Sequence, residues 1–416
     1  MRKRSVGPSR GQSERPEKKR LLFVRQTAGI GGSEIVILDL LNSIDYEKYT
    51  AILATPVDVF SKRLLDLKLP VMWVPLTAPA TGGFFQCLFS WISCLRRWRP
   101  DQIILAEGGF RDFPLSTVLA ASVVAGGNVW MMELHPAPEI NSQTRGLRWG
   151  FIPRFGLRER TRAWLPKGIL SVSQGVKDRL VRYGYPSDKI AVVYNGVDAK
   201  RFSVASRDTR SALRRSLQVP DQATVIVSAA RLDGNKCLDR LIQAFAALSL
   251  EYDNLWLLLT GDGPLRAELT TLADSVDGRE RIRFLGYVDD VSAVLRASDI
   301  YALPSNEEGF GIALVEAMAC GLVCVATSTV GPSEIIENGR NGFLTDRTWS
   351  GVFKGLQQAL ELNGEERRII GGRARQKVLE KFQVEEAAVK GLVFMGIDPA
   401  AGILCEMPDE PSNALP

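Results

Sequence analysis

The chain has few of the residues from which metal centres are built. Its 416 residues include a single histidine, His135, and the six cysteines form no closely spaced pair of the CxxC kind. A zinc site made of histidine and cysteine ligands is therefore not expected. Every cysteine except Cys405 lies in an apolar helix or strand pattern, so we expect buried, reduced thiols in a cytoplasmic protein.

Long apolar runs are also missing. No stretch is long and uninterrupted enough to predict a membrane-spanning helix. Residues 1–20 are basic and polar with no apolar core behind them, so we predict a disordered tail rather than a secretory signal. The residues after Asp398 are proline-rich and aperiodic, and we expect a loose tail there as well.

The net charge of +5 is unevenly distributed. Residues 1–199 hold 28 Lys and Arg against 17 Asp and Glu, a surplus of 11, whereas the remainder holds 24 against 30, a deficit of 6. A basic half suits an anionic partner such as a membrane surface, a phosphate-bearing substrate or nucleic acid. Solubility together with the basic tail accounts for the surplus equally well.

Strand and helix patterns alternate in two successive series. The first series runs from Leu21 to Val193 and the second from Val225 to Phe382, and no fixed-period repeat is visible. This alternation predicts an α/β protein with two open parallel sheets and right-handed crossovers. The polar stretch Asp198–Asp221 is the predicted linker. The predicted divisions are a tail over 1–20, a first domain over 21–200, a second over 201–382, and a return segment with a tail over 383–416.

Two cations follow the first strand of the second series. Arg231 and Lys236 come directly after the strand Val225–Ala229. Ligands of doubly wound sheets bind at the carboxyl ends of strands, and guanidinium and ammonium groups there suit a diphosphate. A solvated basic loop is the alternative. The turn Gly261–Pro264 also lies at a strand end, although a simple strand-to-helix turn explains it.

A second loop combines glycines with carboxylates. Glu307-Glu308-Gly309-Phe310-Gly311 precedes a helix that carries Glu316, eight residues after Glu308. Glycines let a ligand approach the backbone, and the first amides of a helix attract phosphate. Apolar residues surround Glu316, and a charge on an otherwise buried helix needs a partner such as the hydroxyls of a ribose.

These motifs together resemble the retaining glycosyltransferases of family 4, which have the GT-B fold. The resemblance covers residues 20–380 and is strongest from Asn195 to Leu344; the first half matches through Gly31-Gly32-Ser33-Glu34 and His135. The motifs of the second half are Asn195-Gly196-Val197-Asp198, Arg231 with Lys236, Gly261-Asp262-Gly263-Pro264, Glu308 through Glu316, Gly331-Pro332-Ser333-Glu334 and Asn341-Gly342-Phe343-Leu344.

The resemblance implies two Rossmann-like domains that face each other across a cleft, the first for the acceptor and the second for a nucleotide-sugar donor. Arg231 and Lys236 would hold the donor diphosphate, and Glu316 would bind the ribose. Glu308 would lie by the transferred sugar, with the amides of Gly309, Phe310 and Gly311 near its hydroxyls and the phosphate. Gly32 would approach the diphosphate from the first domain, and His135 would contact the sugar near the reacting carbon.

The expected reaction is a retaining transfer that needs no metal and no cofactor, with a UDP- or GDP-linked sugar as co-substrate. Arg231 and Lys236 would replace the divalent metal of other glycosyltransferases, and no DxD-type acidic cluster is visible at a strand end. His135, between a strand and Pro136, would stabilise an oxocarbenium-like state as a neutral imidazole or through its carbonyl. Two residues depart from the family pattern, Val330 and Cys237, each at a position where glycine is common; both put local loop shape in question.

The sequence predicts only the class of the acceptor group, which is a hydroxyl of a glycan, of a lipid-linked molecule or of a small molecule. Gln143–Lys167 is rich in Arg, Trp and Phe, which suits an anionic membrane surface or an ordinary solvated segment. Phe84–Leu95 is a second candidate contact, although a buried sheet-packing helix is the favoured interpretation.

Three other functional classes are considered for this sequence: an oxidoreductase, a nucleic-acid-binding protein and an inactive subunit. A dinucleotide oxidoreductase is disfavoured because Gly29–Gly32 lacks the GxGxxG spacing. Nucleic acid is not expected as a partner because no aromatic-basic platform is visible. A catalytically inactive nucleotide-sugar-binding subunit remains the alternative, against which the presence of Arg231, Lys236, Glu308, Glu316 and His135 argues.

Overall fold

The computed structural model describes residues 17–26, 31–56, 64–76, 83–107, 112–139 and 157–401. The predicted tail up to residue 16 and the position of Cys405 lie outside this range. Within it, no helix combines the length and apolar composition needed to cross a bilayer.

The first domain contains a seven-stranded parallel sheet in the order β3-β2-β1-β4-β5-β6-β7. Its central strands are buried on both faces and read as almost continuous apolar runs, as parallel sheets covered by helices require. The strands are β1 Lys19–Val24, β2 Tyr49–Thr55, β3 Val71–Pro75, β4 Gln102–Glu107, β5 Val129–Glu133, β6 Gly168–Ser171 and β7 Ile190–Val192. The helices are α1 Gly32–Asn42, α2 Phe84–Arg96, α3 Leu115–Val124, α4 Leu157–Trp164 and α5 Gln174–Arg182.

The second domain contains a six-stranded parallel sheet in the order β10-β9-β8-β11-β12-β13. The strands are β8 Thr224–Ala229, β9 Leu255–Thr260, β10 Ile282–Gly286, β11 Ile300–Leu303, β12 Val323–Thr327 and β13 Phe343–Thr345. The helices are α6 Arg207–Ser216, α7 Leu238–Leu248, α8 Arg266–Asp274, α9 Val291–Ala297, α10 Ile312–Ala319, α11 Val330–Ile335, α12 Trp349–Glu361, α13 Gly364–Lys381 and α14 Val384–Phe394. Among the described residues, single turns of 3-10 helix occupy Ser187–Lys189 and Arg279–Arg281.

Apolar packing continues from one domain into the other. One buried cluster holds the core of the first sheet together with residues of α10 and β11, and a second fills the outer layer of the second domain. Between the domains, the rings of Tyr194, Phe310 and Phe382 lie 5.5–6.0 Å apart, centroid to centroid. These edge and tilted contacts fix the connection between the domains next to the loop that follows β11.

The end of the described chain returns to the first domain. Helix α14 packs on α1, and Gln102 Nε2 donates to the Met395 carbonyl at 2.9 Å. The expectation of a loose tail after Asp398 is wrong for the next residues, because Pro399 bridges Ile44 and the Ala400 N–H donates to the Ser43 carbonyl at 2.9 Å.

Two further expectations need correction. The basic tail ends earlier than residue 20, because Lys19 and Arg20 belong to β1 and the Arg20 N–H donates to Asp101 Oδ2 at 2.7 Å. The predicted linker contains α6. This helix docks through charge rather than apolar surface: Arg214 is 3% exposed and contacts Asp299 Oδ2 at 2.7 Å.

Candidate functional site

The cleft between the domains lies at the points where the strand order of each sheet reverses. Strand order reverses between β1 and β4 in the first sheet and between β8 and β11 in the second, and the carboxyl ends of such strands are where ligands bind. The cavity there measures about 380 Å³. It is lined by every residue assigned to the site from sequence: Gly32, His135, Arg231, Lys236, Glu308, Gly309, Phe310, Gly311 and Glu316. Their individual roles remain predictions.

Two glycines let the domains approach each other. A Cβ on Gly309 would lie 2.4 Å from the Leu134 carbonyl oxygen, and a Cβ on Gly32 would lie 3.1 Å from Ile312 Cδ1. In addition, Ser173 Oγ donates to the Gly309 carbonyl at 2.7 Å. The loop after β11 is therefore held directly against the loops after β5 and β6.

A buried ion pair supports the glycine loop before α1. Arg25, at the end of β1, contacts Glu34 Oε1 at 3.1 Å, and both side chains are buried. The other oxygen of Glu34 accepts the N–H of Gly31, which completes a capping arrangement at the helix start. Sequence reasoning missed Arg25, although a cation directly after a buried strand is the same signal that identified Arg231.

Lys236 and Glu308 form the central charged pair of the cleft. Lys236 Nζ contacts Glu308 Oε1, and Ser305 Oγ donates to the same oxygen at 2.8 Å. The carboxylate is almost fully buried, which an ionised group tolerates only with such partners. The contact leaves other N–H donors of the ammonium for a phosphate, because lysine carries three.

Arg231 is the more open cation. Its side chain is 51% exposed and contacts Asp233 Oδ2 at 3.5 Å. The turn predicted at Gly261–Pro264 supports this loop, because a Cβ on Gly261 would lie 1.9 Å from the Ala230 carbonyl oxygen. The guanidinium is thus held at the cleft with its fork accessible to an anion.

Asn235 joins the two loops of the second domain and was not predicted. Its Nδ2 donates to the Glu307 carbonyl at 2.9 Å, and its Oδ1 accepts from the Glu307 N–H at 3.1 Å. This double contact fixes the loop that carries Lys236 against the loop that carries Glu308. Sequence alone gave no signal, because an asparagine in a polar loop is unremarkable.

Glu316 lies on α10 with its carboxyl buried at the cleft wall. Burial raises its pKa to about 7, and the charge of Arg201 opposes that rise. Asp39 on α1 behaves alike, since burial and the charge of Glu316 raise its pKa to about 7. A buried carboxyl at the mouth of a polar cleft is suited to accept hydroxyl donors from a ligand.

His135 follows β5 and keeps exposed surface toward the cleft. The surrounding atoms desolvate the imidazole and lower its pKa, while Glu308 raises it and Lys236 lowers it. The imidazole is therefore neutral at pH 7 and able to donate or accept one hydrogen bond.

Phe310 and Gly311 determine the shape of the loop that leads into α10. The Phe310 ring is buried against Tyr194 and Phe382, and the residue lines the cleft. Gly311 has φ of 100°, a left-handed conformation that favours glycine, and caps α10. Since Ile312–Leu314 line the cleft, the positive end of this helix faces it.

The motif Gly331-Pro332-Ser333-Glu334 lies outside the cleft lining. Glu334 Oε2 and Oε1 accept the N–H groups of Gln174 and Gly175 at 3.0 and 2.6 Å, which caps α5 of the first domain. Val330, one departure from the family pattern, packs where a Cβ on Gly175 would clash with it. Cys237, the other, adopts a left-handed conformation with φ of 48°, so the non-glycine residue is accommodated at a strained position.

No group of three or more histidine, cysteine, aspartate and glutamate side chains within the described ranges has the geometry of a metal site. No disulfide joins the described cysteines; Cys237, Cys320 and Cys324 are buried, whereas Cys87 and Cys94 are only partly so.

Comparison with known proteins assigns the chain. The family described as Glycosyltransferase Family 4 matches residues 30–201, and the family described as Glycosyl transferases group 1 matches residues 209–377. The chain belongs to glycosyltransferase family 4. The resemblance inferred from the motifs is thereby confirmed.

Curated relatives in this family match over part of their length. The N-acetyl-alpha-D-glucosaminyl L-malate synthase of Bacillus anthracis is 33% identical over 221 residues, 52% of this chain and 56% of that protein. The lipopolysaccharide core biosynthesis glycosyltransferase LpsE of Rhizobium meliloti is 31% identical over 193 residues, 46% of this chain and 52% of that protein. The matched segments thus span little more than half of each relative.

Solved structures agree over nearly the whole chain. HepE of Anabaena in complex with UDP superposes with a TM-score of 0.72 at 23% identity, covering 91% of this chain and 99% of that one. The prediction of a GT-B fold with two Rossmann-like domains is confirmed.

Proposed function

We propose that this family 4 protein is a retaining glycosyltransferase. It would move a sugar from a UDP- or GDP-linked donor to a hydroxyl of a glycan, lipid-linked or small-molecule acceptor in cell-surface polysaccharide or glycolipid synthesis. The names of its relatives support this range of acceptors, because one is an N-acetyl-alpha-D-glucosaminyl L-malate synthase and another acts in lipopolysaccharide core biosynthesis. HepE crystallised with UDP and with UDP-glucose supports a nucleotide-sugar donor.

The observation that carries the proposal is the convergence of Arg231 and Lys236 with Gly32 on one cleft. Two cations and an accessible backbone are what a diphosphate requires. The cavity of about 380 Å³ lies within the roughly 300–1,000 Å³ of a small-molecule site, which suits a bound nucleotide-sugar.

In the proposed reaction the acceptor oxygen bonds to the anomeric carbon on the face from which the diphosphate oxygen departs. The diphosphate takes the proton of the acceptor hydroxyl and leaves with the bonding electron pair. Arg231 and Lys236 stabilise the charge that develops on it, which is electrostatic preorganisation rather than acid–base catalysis by the protein. No metal or cofactor takes part in this scheme.

Other residues act on the sugar and the nucleoside. The buried carboxyl of Glu316 accepts the ribose hydroxyls, and Glu308 lies by the transferred sugar, held by Lys236 and Ser305. Neutral His135 or its carbonyl stabilises the oxocarbenium-like state. The amides of Gly309, Phe310 and Gly311 approach the sugar hydroxyls and the phosphate.

A nucleotide-sugar-binding subunit without activity is the alternative. It would use the same cleft but would have no need of His135 beside Glu308. A screen of UDP- and GDP-linked sugars for hydrolysis or transfer separates the two. Turnover with retained anomeric configuration, read by NMR of the product, supports the transferase; tight donor binding with no turnover under any acceptor supports the subunit.

Peripheral contact with the inner face of the membrane is part of the proposal. Most of the basic and aromatic segment Gln143–Lys167 lies outside the described residues, and Arg162 within it is buried, with Arg162 Nη2 3.7 Å from Glu133 Oε1. Helix α2 differs from the expected buried sheet-packing helix: Trp91 and Leu95 are buried, but Phe85 and Phe89 are 69% and 65% exposed. An anionic bilayer suits this exposed pair near Arg96.

A further inference from the structure

Four charged side chains form a closed ring at the edge of the cleft, which we call the charge ring. In the first domain Glu139 follows β5 and Arg179 lies in α5, whereas in the second Glu307 follows β11 and Arg347 follows β13. Arg179 contacts Glu139 Oε1 at 3.0 Å and Glu307 Oε2 at 3.1 Å. Arg347 contacts the same two carboxylates at 3.1 and 3.2 Å. Each arginine therefore bridges one carboxylate of each domain.

The ring is attached to the backbone of both domains. Arg179 Nη1 also donates to the Ala137 carbonyl at 3.1 Å, and Arg347 Nη1 donates to the Asn306 carbonyl at 3.2 Å. Arg179 is only 12% exposed on its side chain, so its contacts are less screened than those of ordinary surface pairs. A planar guanidinium suits this arrangement because its donors reach two acceptors in fixed directions.

The backbone segments held by the ring are those that carry the reacting groups. Ala137 is two residues after His135, and Glu307 immediately precedes Glu308. His135 and Glu308 belong to different domains, and the charge of Glu308 raises the pKa of the His135 imidazole. Their separation is consequently set by whatever joins these two loops.

We propose that the charge ring positions His135 and Glu308 relative to each other, with Arg179 as its principal positioning residue. This inference rests on the proposed glycosyl transfer for its effect on turnover. Its main effect is expected on turnover rather than on donor binding, because no described contact joins the ring side chains to the cations Arg231 and Lys236. A displacement of reacting groups by about 1 Å is enough to slow a reaction strongly.

Other contacts also join the two domains. The domains remain joined without the ring, because Glu334 still accepts the Gln174 and Gly175 amides and Ser173 still donates to the Gly309 carbonyl. Loss of the ring should therefore leave the fold intact and displace the two loops only.

The test compares Arg179→Met and Glu307→Gln, singly and together, with Arg182→Met, an exposed arginine on the same helix outside the ring. We expect kcat to fall on the order of tenfold in each single variant while the donor KM stays within about twofold. The double variant should be slower than either single one but by less than the product of the two effects, because the changes share the Arg179–Glu307 contact and each also affects a contact of its own. Arg179→Lys, which keeps the charge without the fork, should be intermediate.

Hydrogen exchange of residues 134–139 and 304–311 provides a second readout that needs no turnover. Exchange should accelerate in both segments in Arg179→Met and in neither segment in Arg182→Met. Unchanged exchange, or a kcat equal to that of Arg182→Met, overturns the inference. If the unmodified protein transfers no sugar at all, the proposed function fails, and exchange alone still decides whether the ring holds the two loops.

Discussion

Gly309 of the second domain lies against Leu134 of the first so closely that a Cβ at position 309 would be 2.4 Å from the Leu134 carbonyl oxygen. Backbone against backbone leaves no flexible atom to move away. The contact lies one residue from Glu308 and one residue from His135. The close approach of the two halves of the cleft therefore depends on the absence of a side chain at Gly309.

Gly309→Ala should consequently push the two loops apart. We expect turnover to fall by roughly a hundredfold, the scale of a displacement of about 1 Å at a reacting centre. Gly372→Ala is the matched control, because nothing lies within 4 Å of the Cβ it would add. Steady-state kinetics of both variants on the donor found in the screen measure the effect. Equal turnover in the two would show that the loops tolerate the added methyl group.

Lys236→Ala should cost about 2–4 kcal/mol of transition-state stabilisation, comparable to the loss of an oxyanion donor. The variant also leaves Glu308 buried without its cation, which destabilises the fold. Lys236→Ala combined with Glu308→Gln tests the stability effect alone, since thermal stability should recover once the buried charge is removed; turnover is judged on Lys236→Ala, because Glu308 is itself assigned to the sugar. Lys200→Ala, exposed and outside the cleft lining, is the control. Turnover near that of the unmodified protein in Lys236→Ala would remove the diphosphate role.

The pKa of Glu316, raised by burial from 4.5 to about 7, makes stability depend on pH. Between these values the folded state binds more protons than the unfolded state, so this carboxyl lowers the free energy of unfolding as pH rises through that window. Glu316→Gln removes the term. Chemical denaturation should show the variant close to the unmodified protein at pH 4 and more stable by on the order of 2 kcal/mol at pH 8.

Glu268→Gln provides the reference for that measurement, because the Glu268 side chain is exposed on α8. This variant removes one carboxylate outside the cleft lining, so it controls for the loss of a negative charge as such. If Glu316→Gln behaved in the same way, Glu316 would titrate as an ordinary surface carboxyl. The proposed hydroxyl contacts would then have no buried acceptor.

The parts of the site that were predictable are those encoded in short segments. A buried strand followed by Arg231 and Lys236, or by Glu308 and a glycine pair, places polar groups at the carboxyl end of a parallel sheet whatever the rest of the chain does. All nine assigned residues accordingly line the cleft. The confirmed fold followed from the alternation of strand and helix patterns together with the family resemblance.

What was missed depends on contacts between distant segments. Arg179 meets Glu307 across 128 residues, and Arg347 meets Glu139 across 208. Such pairs exist only once both domains are packed, and many other charges share their local pattern. The sequence of helix α6 resembles a linker for a related reason. The buried residue of this helix is Arg214, and its partner Asp299 lies 85 residues away along the chain.

Metal independence is testable without mutagenesis. If Arg231 and Lys236 balance the charge of the departing diphosphate, no divalent cation is needed for that step. Transfer should therefore persist after extensive treatment with EDTA and should not increase when Mn²⁺ or Mg²⁺ is restored. Abolition by EDTA with rescue by Mn²⁺ would reject the metal-free scheme and would leave the cleft itself unaffected.

Membrane contact through α2 makes a separate prediction. Phe85 and Phe89 are one helical turn apart and exposed, so burial of both in a bilayer interface would gain apolar contact that water does not offer. The unmodified protein should float with anionic vesicles at low salt. The double variant Phe85→Ser/Phe89→Ser should bind these vesicles more weakly, on the order of tenfold or more. Val393→Ser, an exposed apolar residue on α14, controls for general loss of surface hydrophobicity. Equal flotation of the paired variant and this control would place any membrane contact elsewhere, and no flotation of the unmodified protein would remove the membrane from the proposed function.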